Sequence, residues 1–163
     1  MKKSETELSL GLCVQSLKTA EKGLELNPYN IAFLVRKGQA LLCEREFEKF
    51  DAWAKDAQKY SVPLEYLKTY QAQSLFFKKE FGKALSLLSE VLAGAPNYPE
   101  AWYWRAQILG KVDGDSNDSY EKYLKICEGS VEKIKKKYIH EPRVCREVGA
   151  VRKIVETAEA TEE

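Results

Sequence analysis

Three glutamines and three prolines recur along this chain at nearly constant intervals. Gln39, Gln73 and Gln107 are 34 and 34 residues apart, and Pro28, Pro63 and Pro96 are 35 and 33 apart. Each proline closes a helix-like stretch, as in Lys22-Gly-Leu-Glu-Leu-Asn27 before Pro28, because proline has no amide N–H to carry a helix onward. A period near 34 residues with helical content predicts a stacked repeat array, in which each unit buries its apolar face only against its neighbours. Arrays of this kind are built to bind rather than to catalyse.

Composition narrows the partners. Lys plus Arg number 26 against 25 for Asp plus Glu, so no net field draws nucleic acid or an anionic membrane, and neither is expected as a partner. No run approaches the roughly 20 apolar residues of a spanning helix. Glu5 and Glu7 interrupt the start of the chain, which reads as a lead into the first helix rather than an export signal. The cysteines, Cys13, Cys43, Cys127 and Cys145, form no C-x-x-C pair and lie within apolar helical patterns. They are expected to be free, buried thiols in a reducing, cytoplasmic compartment. With a single histidine, His140, no metal site and no cofactor are expected.

The clearest unit covers residues 31–62. Leu34, Gly38 and Leu41 share one helical stripe, Arg45-Glu46 makes a tight joint, and Phe47, Phe50, Ala54 and Ala57 line one face of a second helix. Gly38 is expected where two antiparallel helices cross closely. In the next unit Ala72, Leu75 and Phe81 take the places of Gly38, Leu41 and Phe47, followed by Ala84, Leu88 and Val91. Trp102, Ala106 and Leu109 open the third, whose joint at 112–117 is longer. Before all of these, Cys13, Ser16, Ala20 and Gly23 keep the second-helix spacing, preceded at 1–11 by a first helix that is shortened or missing.

Pro99-Glu-Ala-Trp-Tyr-Trp-Arg-Ala-Gln-Ile-Leu109, Glu80-Phe-Gly-Lys-Ala-Leu85 and Lys22-Gly-Leu-Glu-Leu-Asn-Pro28 resemble the tetratricopeptide repeat (TPR) over roughly residues 12–127. The resemblance implies an all-α fold, a right-handed superhelix (α-solenoid) of antiparallel helix pairs. The array is assigned to 1–128, with a partial first unit at 1–28 and units at 30–62, 64–96 and 98–128. Residues 129–163 are assigned to C-terminal capping helices and an acidic tail, frayed from Ala158 onward. Within that region Val131, Ile134 and Tyr138 lie on a lysine-rich helix, Pro142 suits the first turn of another, and Val144, Val148, Val151 and Val155 form a seam. The seam either caps the last repeat or dimerises.

No constellation for catalysis is present. His140 lacks a nucleophile in a recognisable arrangement, there is no phosphate loop, and the carboxylates read as solvated faces of amphipathic helices. The lysines at 133–137 read as a solvated face, or else touch an anionic partner.

The resemblance further implies a concave groove lined by the first helix of each unit. Residues off the packing stripe should face it: Ala32, Val35, Arg36, Gln39, Leu42 and Cys43; Tyr66, Thr69, Tyr70, Gln73, Phe76 and Phe77; Glu100, Tyr103, Trp104, Gln107 and Lys111. The three glutamines would engage a ligand's main chain, and the aromatics would supply buried area. The competing reading is that these aromatics fill space between helices. The family's carboxylate clamp is absent, because its positions fall on Val35, Gln39, Tyr70, Glu100 and Trp104. The chain is therefore expected to be a non-catalytic adaptor that binds another protein or peptide. The alternatives are a self-associating scaffold or homo-oligomer, a piece of a longer repeat chain, and, least supported, an enzyme.

Overall fold

The computed structural model describes residues 11–162, and among them there are nine helices and no strand. The fold is all-α. The expectations placed on residues 1–10 lie outside the described residues. In chain order the helices are α1 (Cys13–Leu26), α2 (Ile31–Cys43), α3 (Phe47–Lys59), α4 (Leu64–Phe77), α5 (Phe81–Gly94), α6 (Pro99–Lys111), α7 (Asn117–Gly129), α8 (Val131–Lys137) and α9 (Val148–Glu162). The chain divides into two compact units, Met1–Ser74 and Leu75–Glu163.

Local chemistry sets the helix ends. Asn30 caps α2, its Oδ1 accepting from the Phe33 N–H at 3.1 Å. Pro99 opens α6, where its missing N–H and fixed φ cost nothing. The helices α2, α4 and α6 are each followed by a residue in the left-handed region: Arg45 (φ 61°), Lys79 (φ 62°) and Asp113 (φ 55°). These positions are 34 and 34 residues apart. In each joint an N–H just beyond the turn reaches back to the last helical turn: Glu46 to Leu41 O (3.0 Å), Glu80 to Leu75 O (2.8 Å) and Gly114 to Leu109 O (2.8 Å). This closure satisfies carbonyls that the helix end would otherwise orphan. The period thus exists in the backbone as well as in the glutamines.

In the N-terminal unit α1 packs on α2 and α2 on α3. The stripe expected from sequence is buried: Leu34, Gly38 and Leu41 on α2, and Phe50, Ala54 and Ala57 on α3. Gly38 does make a close approach, but to a side chain. A Cβ there would lie 2.4 Å from the Trp53 ring, and one at Gly23 would lie 2.5 Å from the Phe33 ring.

In the C-terminal unit α5 packs on α6, α6 on α7, and α7 on both α8 and α9. Ala84, Leu88 and Val91 are buried, as are Tyr98, Ile108, Tyr123 and Tyr138. Val151 and Val155 are buried and α9 lies against α7 within this unit. Two details differ from expectation. Residues 142–147 form turns, so the last helix begins at Val148 rather than near Pro142, and it continues through Glu162 with no frayed stretch from Ala158. Arg152 anchors this helix to α7 through Nε and Glu128 Oε1 at 2.9 Å.

The cysteines also depart from expectation. Cys13 pairs with Cys43 and Cys127 with Cys145, at Cα–Cα separations of 5.9 and 5.4 Å, leaving no free thiol among the described residues. Apolar spacing marks each cysteine as a core position, but it carries no information on which other core position stands opposite. The inference of a reducing compartment rested on free thiols and loses its support. Among the described residues no helix is long and apolar enough to cross a membrane.

Candidate functional site

The residues assigned to the groove separate by burial. In the N-terminal unit Arg36, Gln39, Tyr66, Thr69 and Tyr70 are all buried. They form interior structure. Gln39 Nε2 donates to the Tyr70 hydroxyl at 3.0 Å, and Arg36 Nη1 donates to Gln39 Oε1 at 3.3 Å, so both ends of the Gln39 amide are engaged within the chain. Tyr70 is only 2% exposed and its ring lies 6.4 Å from that of Trp53. The expectation that Tyr70 stands open to solvent is corrected: the side of α2 and α4 away from the stripe is covered too. Gln73 remains half-buried.

The C-terminal unit presents a different surface. Phe76 and Phe77 meet Trp104 of α6, with Phe81 beside Phe76 and Tyr103 beside Trp104, and every one of these five side chains is half-buried. Their rings form a continuous run. Phe76 lies 5.8 Å from Phe81 and 5.6 Å from Trp104, Phe77 lies 6.0 Å from Trp104, and Trp104 lies 5.8 Å from Tyr103. Most of these contacts are edge-to-face, the arrangement that the ring quadrupoles favour. Tyr103 continues the run inward to Tyr123 at 5.7 Å. Gln107 lies on the same helix and donates through Nε2 to the Tyr120 hydroxyl at 2.8 Å, so its amide nitrogen supports the scaffold. Lys111 is exposed. Half-burial suits recognition, since such rings are fixed by neighbours yet keep apolar area to cover.

Sequence reasoning set Phe76 beside Phe77 on the groove face but gave Phe81 a packing position.

Behind this run lies a buried polar cluster. Glu100 and Glu141 are 5% and 3% exposed, which corrects their reading as solvated carboxylates. Tyr98 donates to Glu141 Oε2 at 3.3 Å, and the Glu147 N–H donates to the Tyr123 hydroxyl at 2.9 Å. Glu100 Oε1 has no hydrogen-bond partner. Burial, reinforced by the charge of Glu141, raises the Glu100 pKa well above the carboxylate range, and Arg143 only partly offsets this. Burial also moves Tyr103 up to about 12 and Tyr123 further up, with nearby glutamates adding to both. His140 is half-buried and its Nδ1 has no hydrogen-bond partner, so it is less open than the surface histidine expected. Among the described residues no three His, Cys, Asp or Glu side chains are grouped to hold a metal ion.

The N-terminal unit also carries an open groove of ≈ 520 Å³ lined by Leu34, Leu41 and Trp53 among others. Its rim charges are partnered, Lys37 with Glu21 at 3.2 Å and Lys49 with Glu46 at 3.2 Å.

The chain matches no protein-family model, no curated protein and no solved structure.

Proposed function

We propose that this chain is a non-catalytic binding module of the tetratricopeptide type, which holds an apolar segment of another protein on the aromatic run of its C-terminal unit. The observation that carries the reading is the half-buried series Phe81, Phe76, Phe77, Trp104 and Tyr103. Five adjoining rings at partial exposure are more apolar surface than scattered exposed residues explain, and aromatic anchors dominate the energetics of protein interfaces. The periodic helix ends at Arg45, Lys79 and Asp113 support the repeat assignment. Binding would draw on Phe77, Tyr103 and Trp104 of the C-terminal unit. Arg36, Gln39, Tyr66, Thr69 and Tyr70 would hold the scaffold. The two disulfides favour an oxidising compartment over the cytoplasm.

Selection of random displayed peptides tests this. Peptides with apolar or aromatic residues should be enriched, and Trp104→Ala should weaken the selected peptides about thirtyfold, the typical effect of losing a hot spot near 2 kcal/mol. If no peptide is enriched, or the selected ones bind Trp104→Ala and Phe77→Ala as well as wild type, the aromatic run is not the binding surface.

A further inference from the structure

The two disulfides stand in opposite surroundings. Cys127 and Cys145 are 2% and 9% exposed, so both sulfurs are shielded from solvent. The other pair is asymmetric: Cys13 is 4% exposed, whereas Cys43 is exposed at the last residue of α2. The bond ties the first residue of α1 to the end of α2, and of the two residues it joins Cys43 is the exposed one.

We propose that the Cys13–Cys43 disulfide is a thiol-exchange site at which a small thiol of the glutathione class becomes attached to Cys43. The incoming thiolate attacks Cys43 Sγ, forming a new S–S bond to it. The Cys43–Cys13 bond breaks, and its electron pair leaves on Cys13 as a thiolate, which takes a proton from solvent. One disulfide is replaced by another, so no external oxidant is needed.

The surroundings of Cys13 suit a leaving group. Burial alone would disfavour its thiolate, but Cys13 is the first residue of α1, where the helix dipole favours negative charge. That first turn carries no acidic residue, and Leu12 before it supplies no side-chain cap. Once protonated, the thiol has the Gly11 carbonyl 3.4 Å from its sulfur as an acceptor. A better leaving thiol speeds exchange, and the accessible sulfur of a pair is the one attacked. Apart from the bond, α1 and α2 also pack on each other directly, with Phe33 set over Gly23.

The experiment treats the oxidised full-length chain with reduced glutathione, quenches with acid at intervals, alkylates, and maps the peptides by mass spectrometry. The expected result is glutathione on Cys43, alkyl label on Cys13, and opening about tenfold or more faster than at Cys127–Cys145. Adduct on Cys13, or opening of Cys127–Cys145 first or at an equal rate, overturns the proposal. So does finding Cys13 and Cys43 already alkylated before any reductant is added. A second measurement uses Cys13→Ser and Cys43→Ser, each checked for wild-type helicity and exposed to oxidised glutathione. Cys43 in the first variant should be modified about tenfold or more faster than Cys13 in the second, and equal rates would show that accessibility does not direct the exchange.

Discussion

Trp53 lies over Gly38 so closely that a Cβ on residue 38 would come within 2.4 Å of its ring. The glycine is a seat for an indole that is itself 5% exposed and has little room to retreat. Gly38→Leu should therefore cost about 1–3 kcal/mol or more by overpacking. Gly94→Ala serves as the comparison, since nothing lies within 4 Å of its added Cβ, and it should be neutral or stabilising by up to about 1 kcal/mol. Urea denaturation followed by tryptophan fluorescence reads both, and equal midpoints for the two variants would mean the Trp53 contact is absent.

Tyr70 and Trp104 should respond differently to truncation. Tyr70→Ala removes a buried ring and the hydroxyl that accepts from Gln39, so it should cost about 3–5 kcal/mol. Tyr70→Phe isolates the hydrogen bond, at about 1 kcal/mol. Trp104→Ala should cost clearly less than Tyr70→Ala, because that ring is half-buried. The reverse order in thermal denaturation would place the interior of the chain elsewhere.

Glu100 links folding to pH. Its folded-state pKa is raised above the ordinary value of 4.5 by burial and then by Glu141. The native state therefore keeps a proton that the unfolded chain releases near pH 4.5. Below that pH both states are protonated and nothing is lost. As pH rises from there toward the folded-state pKa, stability falls by up to about 1.4 kcal/mol per pH unit. Glu100→Gln should remove this slope and stabilise the protein at neutral pH. Parallel pH–stability curves for variant and wild type would show that Glu100 ionises freely.

The Cys127–Cys145 bond fixes the turns at 142–147 before α9. It joins residues 18 apart in sequence, a loop whose closure is worth about 3 kcal/mol in the unfolded state. Cys127→Ala/Cys145→Ala should lower stability by an amount of that order while helices α2–α6 persist. A double variant as stable as wild type would show that packing alone holds α9.

Lys79 spends its side chain on a backbone that glycine adopts more easily. Lys79→Gly should stabilise by up to about 1 kcal/mol, and Lys79→Val should destabilise. The same direction for both would rule out a left-handed residue there.

The stripes Leu34–Gly38–Leu41 and Phe50–Ala54–Ala57 were legible in the sequence because helical spacing is local. A side chain three or four positions away lies on the same face whatever surrounds it. Burial of Arg36, Thr69, Tyr70 and Glu100 was not legible, because it depends on what covers the other face, and polarity argued the wrong way. Cysteine pairing has the same character: positions 13 and 43 become neighbours only after α1 folds back along α2. Of the candidate site, Phe76, Phe77, Tyr103 and Trp104 were legible as aromatics off the stripe. Their division from Tyr66 and Tyr70 was not, since spacing within a helix does not report what covers each face.

The left-handed closures at Arg45, Lys79 and Asp113 use three chemically different side chains, so the stop lies in a dihedral angle and not in a letter. What such a chain must preserve is count. One residue inserted within a helix turns everything beyond it by about 100° and aims the wrong face inward. One inserted after Asp113 is absorbed by the stretch 112–116, which already holds two residues more than 44–46. Lengths can therefore persist while nearly every side chain changes, and a sequence can wander far from its origins and still fold into the same succession of helices.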